Sequence, residues 1–147
     1  MSDGKKVALV VGITHYEHTY ALSNAVPDAL KMKEVLETEL GFDGPPPGQN
    51  CTLAELSDLL TDYDEAIENA DTALLFFAGH GVQVEGRNYL LPSDCPFRSV
   101  RHFKNRGISL NELASSLQAR ARTSILLLDA CQERIEQSHG RRTRGSG

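Results

Sequence analysis

Leu74-Leu75-Phe76-Phe77-Ala78-Gly79-His80-Gly81 and Ser124-Ile125-Leu126-Leu127-Leu128-Asp129-Ala130-Cys131 decide how this chain folds. Each contains a short, unbroken apolar run bounded by polar residues or glycine. A strand with one face in water alternates apolar and polar residues. An unbroken run of this length reads instead as a strand of a parallel sheet, buried on both faces. The two runs also place a histidine and a cysteine at matching positions, just past the expected carboxyl ends of their strands, where open α/β sheets build their sites. A thiol becomes a good nucleophile when an imidazole takes its proton or holds the thiolate as an ion pair. The pattern suits thiol-based hydrolysis.

Toward the N-terminus, Val7 to Ile13 is another buried strand, running into the polar loop Thr14-His15-Tyr16-Glu17-His18. Leu22, Val26, Leu30, Val35, Leu36 and Leu40 then recur near helical spacing, with Gly41 as the stop signal. Pro27 fits such a helix only in its first turn, where a missing N–H costs nothing, so the helix should start near Val26 with Asp28 in that turn. Pro45-Pro46-Pro47 makes Gly41 to Asn50 a loop, and no strand is predicted between Gly41 and Leu53. Leu53 to Asn69 reads as a second helix. Gln83 to Leu91, centred on Gly86, reads as a small hairpin closed by Pro92. Ser109 with Glu112 three residues on is a capping-box pattern opening a helix that runs to about Arg120. Strands alternating with helices give an α/β layered sheet.

With 147 residues the chain suits one domain, expected over 1–137, followed by a flexible Arg/Gly-rich tail over 138–147. Its first apolar run is far too short for a signal-peptide core or a membrane span, so a cytoplasmic protein without membrane attachment is expected. Cys51, Cys95 and Cys131 are odd in number and widely spaced, which argues against a disulfide framework and a zinc site, so free thiols and no metal or other cofactor are expected. Charge is uneven: residues 1–97 carry five Lys/Arg against sixteen Asp/Glu, and residues 98–147 carry ten against four, which together give the net −5. The basic residues concentrate in Arg98 to Arg106, read as a solvated loop, and in the tail, so nucleic acid is not an expected partner. Asp62-Tyr63-Asp64-Glu65 reads as a solvated helix face, and His15 and His18 as loop residues. No Gly-x-Gly-x-x-Gly or Walker lysine follows the first strand, which removes a nucleotide-binding reading.

Several segments resemble, in order, the caspase-like clan of cysteine peptidases, and its metacaspase and paracaspase branch more than the animal caspases. They are Lys6 to Ile13, Leu22 to Leu30 with Asp28-Ala29-Leu30, Phe77-Ala78-Gly79-His80-Gly81, Gly86 to Pro92, and Leu127-Leu128-Asp129-Ala130-Cys131. The clan's cysteine signature lies about fifty residues after its histidine. Here the separation is 51, with Glu133 where the signature has glycine.

The resemblance implies a three-layer α/β sandwich around a mostly parallel sheet. It also implies a Cys131 nucleophile, His80 as acid/base partner, and an oxyanion hole made by the backbone N–H groups of Gly81 and Cys131. No third catalytic member is evident. Asp28 and Asp129 would floor the primary pocket and select arginine or lysine before the cut, since paired carboxylates grip a guanidinium. Asp28 also suits a plain first-turn acid facing the helix dipole. By the same resemblance the chain looks like the large-subunit portion, to be completed by small-subunit strands from a further chain or domain. A catalytically inactive interaction module of the same fold is the other reading.

Overall fold

The computed structural model of the chain describes residues 4–135, and for Cys131 and Gln132 the backbone alone. The expected tail over 138–147, and the boundary that separates it from the domain, lie outside the described residues. In chain order the elements are β1 (Lys6–Gly12), α1 (Ala25–Thr38), β2 (Gly48–Gln49), α2 (Leu53–Ala66), β3 (Thr72–Val84), β4 (Arg87–Leu90), α3 (Val100–Arg106), β5 (Ile108–Ser109), α4 (Leu110–Arg120) and β6 (Thr123–Ile135). The six strands form one mixed sheet. β1 pairs in parallel with β2 and β3, and β3 with β6, whereas β3/β4 and β4/β5 are antiparallel.

Strand periodicity sorts the apolar runs into two cores. Val7, Leu9 and Val11 of β1, with Ala73, Leu75 and Phe77 of β3, bury against Leu56 and Tyr63 of α2 and Leu113 and Leu117 of α4. Ala8 and Val10, with Leu74, Phe76 and Ala78, face Ala25, Ala29 and Leu36 of α1 on the other side. The result is helix, sheet, helix. Both faces of β1 and β3 are covered, which is why these runs carry no alternation. Tyr63, fully buried, donates its hydroxyl to the carbonyls of Val7 (3.2 Å) and Leu74 (2.8 Å). It is therefore a core residue within a stretch expected to be a solvated face. No helix among the described residues is long and apolar enough to cross a membrane.

Local chemistry sets most boundaries. Pro27 lies in the first turn of α1, as its missing N–H requires. After Thr38 the chain turns at Gly41, φ +73°, and the Phe42 N–H closes on the Leu36 carbonyl at 2.9 Å, tucking the Phe42 ring into the core. Thr52 and Glu55 form a reciprocal capping box at α2, and Ser109 caps α4 by accepting from the Glu112 N–H. The hairpin between β3 and β4 turns on Glu85 and Gly86, both at positive φ, the turn that matches the twist of the flanking strands.

Three further sequence expectations change. A strand does lie between Gly41 and Leu53. Asp43 bridges Val7, and β2 pairs Gly48 and Gln49 with Val11 and Gly12; the three intervening prolines have no N–H to give the ladder and split the strand in two. The basic stretch 98–106 is not a loop but holds α3, capped by Ser99 and anchored by buried Phe103 edge-on to Phe97. Its charges are partly spent on neighbours, Lys104 on Glu85 (2.9 Å) and Arg106 on Asp94 (3.4 Å). Finally, β3 and β6 do not stop before His80 and Cys131. They run thirteen residues each and pair throughout, from Thr72 with Thr123 to Val84 with Ile135. Glycine does not end β3, because the β4 hairpin takes over as its neighbour where β1 leaves off.

Candidate active site

His80 and Cys131 are direct Cα partners in the β3/β6 ladder. The two positions, 51 residues apart in the chain, therefore stand side by side within the paired strands rather than beyond their ends. On its other edge, β3 pairs with β1 as far as Ala78 and with β4 from Gly81 onward, so His80 falls in the interval between two neighbouring strands. By strand alternation His80 shares the α1 face of the sheet with Phe76 and Ala78.

The imidazole is 1% exposed and lies edge-on to two aromatic rings, Tyr16 with centroids 4.6 Å apart and Tyr20 at 4.5 Å. Its Nε2 is 3.0 Å from the Tyr20 backbone carbonyl. A carbonyl only accepts, so Nε2 carries the proton in this bond and Nδ1 is left as the basic nitrogen of the neutral ring. No third group was legible in the sequence because the partner is a backbone atom, which leaves no trace in residue type.

The backbone around His80 is engaged on one side. Its N–H donates to the Tyr16 hydroxyl (2.8 Å), and its carbonyl accepts from the Leu91 N–H (3.0 Å). In a strand the N–H and C=O of successive residues face opposite neighbours, so those of Gly81 face β6, at the rung where Gly81 pairs with Gln132.

Asp28 and Asp129 line one open cleft of about 340 Å³, together with Lys31, Met32, Val35 and Phe76. The volume is on the scale of small-ligand sites, roughly 300–1,000 Å³. Asp129 sits opposite Ala78, two residues before Cys131. Asp28 is held by the start of α1, whose Val26 N–H donates to Thr14 Oγ1 (3.0 Å) while the Thr14 and His15 N–H groups both reach Asn50 Oδ1. Gly12 permits this approach, since a Cβ there would lie 2.5 Å from the Ala25 carbonyl. Sequence reading missed Lys31. One turn beyond Asp28, it adds a cation to a cleft expected to be purely acidic.

Cys51 and Cys95 are free and buried. Burial pushes both thiols up, that of Cys95 to about 11, because the thiolate loses its hydration. A thiol at about 11 is ionised roughly 100-fold less at neutral pH than one at its ordinary value. Iodoacetamide at pH 7.5 should therefore label Cys95 roughly 100-fold more slowly in the folded protein than in the denatured chain, as read by peptide mass mapping over time. Cys51 should likewise label more slowly in the folded protein than in the denatured chain. Among the described residues, no group of three or more His, Cys, Asp or Glu side chains is placed to hold a metal ion.

The family profile described as Caspase domain matches residues 5–146. The chain belongs to the caspase family. No curated protein sequence matches it. As a caspase domain it is a caspase-like cysteine peptidase domain, and the mixed sheet with helices on both faces agrees with that assignment. Within this caspase domain, the ladder brings positions 80 and 131 together, and one cleft collects positions 28 and 129.

Proposed function

We propose that this caspase domain is an endopeptidase working through a Cys131–His80 dyad and cutting after arginine or lysine. The observation that carries the reading is the direct pairing of His80 with Cys131, with Nε2 of the imidazole tied to the Tyr20 carbonyl. In the proposed reaction the Cys131 thiolate attacks the scissile carbonyl carbon, and the π electrons move to oxygen. The N–H groups of Gly81 and Cys131 receive that oxyanion. As the tetrahedral intermediate collapses, the imidazolium gives its proton to the leaving amine, and water then hydrolyses the thioester with the same imidazole as base. Because Gly81 faces β6, a substrate carbonyl reaches its N–H only if the strands part beside Gln132.

The Asp28/Asp129 cleft supports a basic residue before the cut. Its apolar walls, Met32, Val35 and Phe76, suit the aliphatic stem of a long cation, and the two carboxylates suit its head. Among the described residues β6 pairs with β3 alone, and Leu127 and Leu128 are 38% and 42% exposed on it. Further strands from a small-subunit chain or domain would cover that edge.

The test is hydrolysis of matched peptides differing only in the residue before the cut, with a small subunit supplied where one is needed. Arginine and lysine peptides should be cleaved and aspartate peptides should not. Preference for aspartate would place the specificity on the wrong branch of the clan. Failure of an arginine-directed electrophile to label Cys131 would favour an inactive interaction module.

A further inference from the structure

We infer that Tyr16 is a positioning residue for His80, its phenol filling the interval beside β3 that neither β1 nor β4 covers. This rests on the proposal that His80 and Cys131 form the dyad.

β1 stops pairing with β3 at Ala78, and β4 begins at Gly81. Between them a buried strand would leave the His80 N–H without an acceptor, and buried N–H groups are rarely left so. The Tyr16 hydroxyl supplies one. It accepts from the His80 N–H at 2.8 Å and lies 3.3 Å from the Leu91 carbonyl, to which it donates. One phenol thus ties the histidine to the residue that follows β4, while its ring meets the imidazole edge-on. Gly79 makes room for it, because a Cβ there would stand 2.6 Å from the hydroxyl oxygen. The adjacent Tyr20 carbonyl fixes Nε2. Main chain and ring are therefore held by two points on the same β1–α1 loop, and the phenol governs where the basic Nδ1 stands.

The decisive measurement is the pH dependence of Cys131 alkylation by iodoacetamide, resolved from Cys51 and Cys95 by peptide mass mapping. It needs neither a substrate nor a small subunit. Tyr16→Phe keeps the ring and removes only the hydroxyl. It should shift the alkylation midpoint upward by about one pH unit and slow labelling at neutral pH by roughly tenfold, because less thiolate is held by the imidazole. With an arginine peptide the loss should fall in kcat rather than KM. Tyr63→Phe is the matched control, since it also removes a buried hydroxyl bridging backbone groups, those of Val7 and Leu74, away from His80. It should lower Tm and leave the Cys131 profile unchanged.

A wild-type profile in folded Tyr16→Phe overturns the inference. So does an equal shift in Tyr63→Phe, which would mean general loosening of the fold. If Tyr16→Phe fails to fold, Gly79→Ala displaces the hydroxyl while retaining the tyrosine, and a wild-type profile there overturns the inference in the same way. His80→Ala separates the two levels. If it leaves the profile untouched, the dyad itself fails and the positioning role with it. If it shifts the profile and Tyr16→Phe does not, the dyad stands and only the role of Tyr16 falls.

Discussion

Replacing Cys131 by alanine is expected to abolish peptide hydrolysis, with a loss on the order of 10⁴-fold or more, because the acyl intermediate needs that sulfur. Alanine keeps the backbone N–H and C=O with which position 131 joins the ladder opposite His80, so Tm should change little. Activity at the level of the unmodified chain would end the assignment of Cys131. His80→Ala should be comparably inactive for a different reason. Its Cys131 remains present but, on the proposed dyad, loses the base that would ionise it, so alkylation at neutral pH should slow. That variant also empties a site 1% exposed between two tyrosine rings, which costs roughly 2–4 kcal/mol of stability by analogy with other large-to-small core changes. Activity should therefore be compared at a temperature where circular dichroism shows both variants folded. Unchanged alkylation in folded His80→Ala would mean that the two side chains never meet.

Asp129→Asn carries the second large effect. The cleft holds two carboxylates and one ammonium, Asp28, Asp129 and Lys31, a net charge of −1 that the substitution reduces to zero. Removing one partner of a desolvated guanidinium costs roughly 2–5 kcal/mol, so kcat/KM for arginine peptides should fall by a factor on the order of 30 or more. The loss should be selective. Leucine or glutamine before the cut offers no charge to strand and should lose far less, or gain relative to arginine. A variant that keeps its full preference for arginine would show that the cleft does not receive the side chain before the scissile bond.

Much of this was legible because the residues concerned act through their own chemistry. The apolar runs of β1 and β3 announce buried strands, Pro27 fits only a first turn, and Ser109 with Glu112 marks the start of α4, whereas the run of β6 announces a strand but not its burial, since Leu127 and Leu128 stand exposed on it. What escaped reading acts through context. β2 is two residues long and interrupted upstream by prolines, so no periodicity could reveal it. α3 has one buried residue, Phe103, in a run dominated by charge, and a single anchor makes no amphipathic pattern. β3 outlasts its glycines because β4 folds back onto it, a pairing that the local sequence does not encode. At the site, the Tyr20 carbonyl could belong to any residue type, and Tyr16 reads as one more polar loop position until its hydroxyl is seen on the His80 N–H. Lys31 was likewise invisible as a member of the cleft, since only the packing of α1 against the sheet brings it into the same cleft as Asp129.

The long parallel ladders also govern when the site comes into being. Lys6 pairs with Thr72 across 66 residues and His80 with Cys131 across 51. Loops of that size must close before any rung returns free energy, so contacts of this kind form late and slowly during folding. β6 pairs with β3, and β3 with β1, so the rung at positions 80 and 131 belongs to a chain of long-range pairings. An unfolded or half-folded chain consequently keeps its histidine and cysteine far apart, with Cys131 an ordinary thiol. With the proposed dyad, reactivity would be a property of the finished sheet, and a refolding time course should show rapid labelling at Cys131 emerging only as the native fold forms.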